Sequence, residues 1–564
     1  MTARPHRRAR VRPRVTRGLH LAYPALLAVV PILYRQAQNP GPMLPDAVVL
    51  SAVVVTLVAL VQGLAYAVLR LAASRQPTTA AADWAAALAA AAVVLLYLPV
   101  PLGNWVHAAP RRLHAAQAAG VVAIAVLPPT LWWALRRDAV RRAMRFLAPA
   151  GRILASAALV IGGWSGAQVA LAPARADRIL RRSALVQELA RPVTASGPAP
   201  PGPRRDLYVI LLDEYPAAAE LRGRYAIDNA PFLDSLRALG FRTPSNLWSN
   251  YAVTLMSIGS LLNFAQLRPL DDDAPAGYRD YTLGAYLIQH NRAARFLKQR
   301  GYRFAFFPSL WFAPTRHDPE ADVELAEPRG FDLARTLRRS PFAESFWDAT
   351  LLPQALPFVA TFQATDVAHA TRTFAGVAAL AARPADSPPV FAFAHVLMPH
   401  APFVADAACR PYPRGAPLYM HTPRPSPAVR AAFAGFVACV NRQVLATART
   451  LLARPGPRPL ILLQGDHGTQ ALQPFDTPPD ALTPAQVRER FRPFGAYYLP
   501  DGGAAAMPDT VSIVNVLRVV FRYYFGADLP PVPNARYFSH FLTPYTLTEI
   551  DTLTDRPRPA TRAR

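Results

Sequence analysis

The sequence is poor in cysteine, in lysine and, over its first third, in acidic residues. Cys409 and Cys439 are the only cysteines, and Lys298 is the only lysine among 564 residues. Two cysteines exclude a cysteine-rich metal cluster. They could pair in an oxidising compartment, but two separate buried thiols are an equally good interpretation.

The near absence of lysine leaves arginine to carry a formal net charge of +25. Such a charge can indicate a nucleic-acid partner. No basic stripe with interleaved aromatic residues is present, and much of the excess lies near the amino terminus and between apolar stretches. We therefore expect no nucleic acid as a partner.

Long apolar stretches occupy the acid-poor first third of the chain. A bilayer core is spanned by roughly 20 apolar residues, and four of the stretches reach that length. The first is shorter and contains Pro24 and Pro31. A secretory signal is the alternative for it, but no small-residue cleavage site follows, so we interpret it as an uncleaved anchor. The five stretches are 19–34, 47–72, 82–102, 115–135 and 153–172.

Arginine clusters between the stretches predict an orientation, because short cytosolic loops collect basic residues. Clusters at 4–17, 70–75 and 136–145 fall on one side if five helices span the membrane. Arg111 and Arg112 would then lie in a loop on the opposite side, which is an exception to the pattern. The sequence thus predicts a multi-pass protein of the cell (inner) membrane, with a transmembrane domain over 1–174. All that follows would face the periplasm or the cell exterior.

The exterior part divides into a connection, a domain and a tail. Residues 175–205 predict a basic amphipathic helix at the membrane surface, followed by a proline-rich linker. We expect a catalytic domain over 206–545 and a C-terminal tail over 546–564. Oligomeric state is not predicted.

Short apolar runs alternate with segments of helical period throughout the exterior domain. Runs without polar alternation are typical of parallel strands that helices cover on both faces. The predicted fold class is therefore an α-helical transmembrane domain followed by an α/β domain with a largely parallel sheet. The predicted strands are 207–213, 302–308, 390–396, 460–466 and 496–500.

Two predicted strands end in acidic residues, one in Asp213 and Glu214, the other in Asp466, His467 and Gly468. The carboxyl ends of parallel strands form the edge where α/β folds place their sites. Two carboxylates and an imidazole suit one divalent cation. Alternatively, the aspartates cap turns and His467 lies on the surface.

Hydroxyl and imidazole groups elsewhere could complete a site. Thr254 is predicted in the first turn of a helix, where free N–H groups stabilise an anion, and a metal-bound hydroxyl there could act as nucleophile. His400 lies between Pro399 and Pro402 and could contact a substrate oxyanion. His395 is a further candidate for substrate contact, or a hydrogen-bonded core histidine.

Four motifs in this order resemble the membrane-bound sulfatase-like hydrolases and transferases of the alkaline phosphatase superfamily. They are YVILLDEYP, SNYAVTLMSIGSLLN, FAFAHVLMPHAPF and LLQGDHG, and the similarity continues through FGAYYLP. Lipoteichoic acid synthases and phosphoethanolamine transferases share this plan of several spans and an exterior catalytic domain. The resemblance implies an alkaline phosphatase-like α/β/α sandwich.

The resemblance also implies roles for individual residues. Asp213, Thr254, Asp466 and His467 would hold one divalent ion, Mn, Mg, Zn or Ca, with Thr254 as the nucleophile. His400 would contact the phosphate or sulfate of the substrate, and Arg490 is a looser match for an anion contact. Glu214 is the alternative to Asp213, because some branches of the family use glutamate as the first-strand ligand.

The predicted function is a metal-dependent phosphotransferase or phosphodiesterase acting on membrane lipid head groups or cell-envelope glycans. Sulfatases carry a cysteine or serine that becomes formylglycine, whereas this chain has Thr254, which cannot form that aldehyde. Sulfate-ester hydrolysis on the same scaffold is the first alternative. A catalytically silent protein that binds envelope polymer is the second.

Overall fold

A computed structural model describes residues 16–38, 44–72, 78–97, 147–195, 202–309, 317–325, 343, 346–347, 350, 363–412, 426–472 and 477–551. By chain contacts it comprises two units, one built mainly from the first 171 residues and one from the rest.

Helices occupy the described part of the first unit. Two helices of the chain's first 182 residues are long and apolar enough to span a membrane by length and composition, over Asp46–Leu71 and Pro149–Arg182. Leucines such as Leu60 and Leu64 are about two-thirds exposed on the first of these, as expected for a surface that faces lipid. The helices are Thr16–Gln38, Leu44–Ala72, Thr78–Tyr97 and Leu147–Arg182.

These helices coincide with four of the five predicted spans. The fourth predicted stretch, 115–135, lies outside the described residues. The number of crossings therefore stays a prediction. A third helix that meets the length and composition criterion, Pro427–Leu452, belongs to the second unit. Its apolar face, including Phe433, Phe436 and Val440, is buried in the core of that unit, so it is a domain helix.

The described residues of the second unit contain ten strands. They are β1 Leu207–Leu212, β2 Asn246–Trp248, β3 Arg303–Phe307, β4 Val323–Glu324, β5 Val390–Val396, β6 Leu460–Gly465, β7 Gly495–Tyr498, β8 Thr510–Ser512, β9 Tyr537–His540 and β10 Thr543–Glu549. Six of them make the main sheet in the order β4-β3-β5-β1-β6-β7. All neighbours in it are parallel except β7, which is antiparallel to β6.

Both faces of the main sheet are buried, which explains the absence of polar alternation in its strands. Along β1, Tyr208, Ile210 and Leu212 enter one core, whereas the alternate residues enter the other. Helices cover both faces, so the predicted α/β/α sandwich with a largely parallel sheet is confirmed. One face carries Ala218–Tyr225, Ala230–Ala238, Gln363–Ala379 and Pro427–Leu452, and the other Thr254–Asn263, Arg292–Lys298 and Ile513–Phe525.

Shorter helices complete the unit. They are Ala184–Ala190, Leu270–Asp273, Thr282–Gln289, Pro484–Phe491 and Gly503–Ala506, with 3₁₀ turns at Leu380–Ala382 and Pro479–Ala481.

The connection at 175–195 packs on the domain, contrary to the predicted position at a membrane surface. The long helix ends at Arg182, and Ser183 Oγ caps the next helix by accepting from Val186 N at 3.0 Å. Leu185 and Leu189 are buried in a cluster that also contains Met256. The apolar face of this amphipathic segment therefore covers protein, because an apolar surface of the domain lies within its reach.

The end of the domain also differs from the predicted boundary at 545. Strand β10 runs to Glu549, and Leu547 and Ile550 are buried. Arg536 N donates to Asp551 Oδ2 at 3.0 Å. The folded domain thus continues at least to Asp551.

Cys409 and Cys439 form a disulfide between a loop and the helix Pro427–Leu452. This decides between the two interpretations that the sequence left open. Disulfides persist in oxidising compartments, so the bond agrees with an exterior position for this unit.

Candidate active site at the carboxyl edge of the sheet

Three adjacent strands deliver polar residues to one point of the sheet edge. Asp213 follows β1 and Asp466 follows β6, while His395 is the penultimate residue of β5. Because β1 lies between β5 and β6 in parallel register, with Leu212 opposite Gly465, Asp213 and Asp466 leave the sheet at the same level. His395, opposite Leu211, lies slightly deeper in the sheet. Residues separated by about 250 positions in the chain thus become neighbours.

These three side chains could hold a metal ion. Each offers one ligand atom, and the three atoms lie within 4.8 Å of one another. All three residues are buried, and no hydrogen-bond partner is found for either oxygen of Asp213, for Oδ2 of Asp466 or for Nε2 of His395 among the described residues. A buried carboxylate without a partner is costly, and a cation would supply the missing interaction.

Thr254 reaches the same point from a covering helix, and His467 reaches it from the loop after β6. The helix begins at Thr254, which therefore lies in its first turn, as the sequence predicted, and Val253 before it provides no side-chain cap. Thr254 Oγ1 lies 3.0 Å from His467 Nε2, which is 3.0 Å from Asp466 Oδ2. The structure therefore brings together the four predicted metal-site residues, Asp213, Thr254, Asp466 and His467.

The electrostatics of the two carboxylates favour a cation. Burial, and then the charge of Asp213, raises the pKa of Asp466 well above its usual value. Burial also acts to raise the pKa of Asp213, but His400, His395 and His467 together outweigh it and hold that pKa below its ordinary range. Without a cation, Asp466 therefore holds a proton while Asp213 is ionised, and this one proton keeps the two neighbouring carboxylates from both being charged. These residues fit a divalent cation, which would replace that proton.

His467 is in the protonation state that metal ligation needs. Burial, followed by the positive charge of Arg490, lowers the pKa of His467 well below its model-peptide value. Its imidazole is therefore neutral at neutral pH, the form that ligates metals.

Glu214 and Arg490 form an ion pair beside this group. Arg490 Nη1 lies 2.6 Å from Glu214 Oε1 and 2.9 Å from Gly468 O, and Arg490 Nε donates to Ala252 O at 2.8 Å. Arg490 thus neutralises Glu214, whereas no arginine or lysine pairs with Asp213 among the described residues, which favours Asp213 as the first-strand ligand. Arg490 Nη2 is 3.4 Å from His467 Nε2, so the predicted anion contact is near the site but stays a prediction.

His400 lies at the half-buried rim of the group. Its Nε2 is 3.9 Å from Glu214 Oε2, and its Nδ1 contacts the carbonyl oxygen of Ala401. The predicted role in substrate contact is compatible with this position and stays a prediction.

His395 lies deeper than a substrate contact requires. Its Nδ1 is 3.0 Å from Ser309 Oγ, and its Nε2 is 3.5 Å from Asp213 Oδ2. We therefore place it with the candidate metal ligands. Its position one residue before the end of a strand was visible in the sequence, but its depth depends on the register of β5 against β1, which the sequence alone does not give.

Sequence reasoning missed Glu489, which fixes the loop after the Asp466-His467-Gly468 motif. Its buried carboxylate accepts hydrogen bonds from four donors along that loop and its neighbour helix. These are Tyr225 Oη at 2.8 Å, Thr469 Oγ1 at 3.0 Å, Ala471 N at 2.8 Å and Leu472 N at 2.9 Å. No sequence motif indicates this role of Glu489, because its hydrogen-bond partners come from other segments of the chain.

Gly468 allows the backbone to pass directly against this region. A Cβ added there would lie 1.9 Å from the carbonyl oxygen of Glu489, a backbone atom that cannot move aside. We expect Gly468→Ala to lower the free energy of unfolding by roughly 1–3 kcal/mol or more, measured by chemical denaturation. Gly223→Ala is the control, since a Cβ there meets nothing within 4 Å in a helix. Equal stabilities of the two variants would contradict this close approach.

Comparisons with known proteins return solved structures. No protein-family model matches the chain, and no curated protein matches it. The C-terminal periplasmic domain of EcEptC from Escherichia coli, in complex with Zn, is 14% identical with a TM-score of 0.42, over 64% of this chain and 97% of that one.

Two further structures illustrate the range of the matches. A putative sulfatase from Bacteroides fragilis is 13% identical with a TM-score of 0.36, over 61% of this chain and 83% of that one. A protein in the alkaline phosphatase superfamily from Vibrio parahaemolyticus is 14% identical with a TM-score of 0.37, over 62% and 76%.

Proposed function

We propose that this protein is a membrane-anchored, metal-dependent phosphotransferase or phosphodiesterase with Thr254 as its nucleophile. Its substrates would be membrane lipid head groups or cell-envelope glycans. One observation carries the proposal: among the described residues, three of the four buried carboxylate oxygens of Asp213 and Asp466 have no hydrogen-bond partner, in a group that also contains the hydroxyl of Thr254.

Asp213, Asp466, His467 and Thr254, with His395 beside them, would hold the cation. When bound, it would neutralise phosphate oxygens and lower the pKa of the Thr254 hydroxyl.

Thr254 lies where a nucleophile needs to be. Its Oγ1 is at the start of a helix whose first N–H groups have no side-chain cap, which favours negative charge on a bound phosphate. Oγ1 would form a bond to phosphorus as the bond from phosphorus to the leaving oxygen breaks. The hydroxyl proton of Thr254 ends on the departing alcohol. The oxygen of an acceptor hydroxyl or of water would then bond to phosphorus as the bond from phosphorus to Oγ1 breaks, and the acceptor's proton would return to Oγ1.

His400 and Arg490 would act around this step. His400 at the rim would donate to the departing oxygen or to the substrate anion. Arg490, through its bonds to Glu214 and Gly468 O, would hold the loop that carries His467.

The location of the substrate follows from the rest of the chain. Apolar helices precede the domain, and a disulfide lies within it, which supports a catalytic domain that works outside the cytosol at a membrane. A lipid head group or an envelope glycan is the substrate available there.

The test uses the purified full-length protein in detergent. We expect about one divalent cation per chain by elemental analysis, and an adduct on the Thr254 peptide by mass spectrometry after incubation with total envelope lipids. A chelator should abolish the adduct, and the cation should restore it. The exact mass of the adduct separates a phosphoryl from a sulfuryl group. Absence of both cation and adduct would leave the polymer-binding alternative.

A further inference from the structure

A cavity of about 710 Å³ lies at the opposite edge of the main sheet, where β1 and β3 begin. Arg204 and Arg205 line it just before β1, and Arg300 and Tyr302 just before β3. Strand β1 has six residues, so this edge is roughly 20 Å from the carboxyl edge at about 3.3 Å per residue. The volume lies in the range of small-molecule sites. The cavity is therefore separate from the candidate active site.

One side of the cavity carries more arginines than acidic residues: Arg204, Arg205 and Arg300 line it together with a single acid, Asp501. Asp501 forms an ion pair with Arg205. Within the described parts of the chain, no carboxylate forms an ion pair with Arg204 or Arg300. Arg300 stacks on Phe296, with Cζ 3.4 Å from the ring centroid, and Nη1 donates to Phe296 O at 3.2 Å. Its guanidinium is held in place and keeps further donors for an anion.

The other side is aromatic and rigid. Tyr523 and Tyr524 donate from their hydroxyls to the carbonyl oxygens of Asp501 and Pro500, each at 2.5 Å. A Cβ on Gly502 would lie 2.7 Å from the Tyr523 hydroxyl, and one on Gly503 would lie 2.0 Å from that of Tyr524. The absence of side chains at Gly502 and Gly503 thus allows the hydroxyls of Tyr523 and Tyr524 to contact the backbone of this loop. Tyr523 remains 38% exposed, which leaves ring surface for a ligand.

We propose that this cavity binds an anionic saccharide, a sugar ring that carries a carboxylate or a phosphate. Arg204 and Arg300 would bind the charged group with charge-assisted hydrogen bonds. The fixed ring of Tyr523 would pack against the apolar face of the sugar, since tyrosine combines a large apolar face with a polar edge. The proposal is independent of the catalytic function, because none of these residues belongs to the candidate active site.

Isothermal titration calorimetry on the full-length protein in detergent tests the proposal. The probes are glucuronate, glucose 6-phosphate, glucose and inorganic phosphate. We expect both anionic sugars to bind at least about tenfold more tightly than either glucose or inorganic phosphate. Similar affinities for anionic sugars and inorganic phosphate would overturn the saccharide part, and absence of binding by both anionic sugars would overturn the whole.

Variants then locate the site. Arg204→Ala and Arg300→Ala should each weaken binding of glucuronate about tenfold or more, and Tyr523→Leu should weaken glucuronate more than phosphate. Arg303→Ala is the matched control, since Arg303 is an exposed arginine close in sequence that does not line the cavity. An equal loss in the control would show attraction by net charge and would overturn the assignment. Arg300 packs on Phe296, so its replacement could also disturb folding. Arg204 is exposed, and Arg204→Ala is therefore the variant that tests binding with the least effect on the fold.

Discussion

Thr254→Ala should lower the rate of transfer roughly 10⁴- to 10⁶-fold, as removal of a nucleophile does in hydrolases that work through a covalent intermediate. The change deletes Oγ1, the atom 3.0 Å from His467 Nε2, and leaves the helix start intact, because the Thr254 side chain caps nothing there. Steady-state kinetics with envelope lipid measures the effect. The adduct should disappear from the corresponding peptide.

Two variants on the same helix make this result specific. Thr254→Ser keeps a hydroxyl and should retain measurable turnover and an adduct. Ser260→Ala removes another buried hydroxyl of this helix, one that donates to Ala265 O at 2.7 Å away from the candidate ligands, and should change the rate little. Wild-type rates in Thr254→Ala would refute the role of Thr254.

Asp213→Asn should abolish both cation binding and activity. Among the residues that the structure describes, neither buried oxygen of Asp213 has a hydrogen-bond partner, so a cation would supply the interaction that this carboxylate lacks. Loss of an outer-shell partner typically costs a metal site 10- to 100-fold in affinity, and loss of a direct ligand should cost more. Elemental analysis and titration of the chelated protein with the cation measure it.

Stability without the cation should fall as well. The three neighbouring histidines hold the pKa of Asp213 below its ordinary range, so the folded state favours the ionised carboxylate at neutral pH, and the amide of asparagine loses that contribution. Chelated Asp213→Asn should therefore unfold at a lower temperature than the chelated wild type. Addition of the cation should stabilise the wild type alone.

Glu214→Gln distinguishes the two possible first-strand ligands. Glu214 is paired with Arg490, so its replacement should loosen the loop around Gly468 while the cation stays bound. Loss of the cation in this variant, with retention in Asp213→Asn, would assign the ligand role to Glu214.

Much of the domain could be predicted from local patterns. The five predicted strands are all present, because a strand buried on both faces must be apolar at every position, and this signal is contained in the run itself. The start of a helix at Thr254 was likewise readable from a polar segment that precedes an apolar helical run. Asp213 and Asp466 could be placed at one edge because parallel strands share their direction.

Contacts between distant segments of the chain could not be predicted from the sequence. The depth of His395 depends on the register of β5 against β1, and the amphipathic segment around Leu185 has the same pattern whether it covers a membrane or a protein. The disulfide depends on the approach of a loop to one helix.

The sequence by itself determined the elements and the chemistry of the residues at their ends, since burial on two faces and strand direction are properties of single segments. Only the tertiary structure decided which of those residues touch: Asp213 with His395, Thr254 with His467, and Arg490 with Glu214. The physical reason is that strand order and register arise from packing across the whole domain, so contacts between side chains hundreds of residues apart exist only once it has folded.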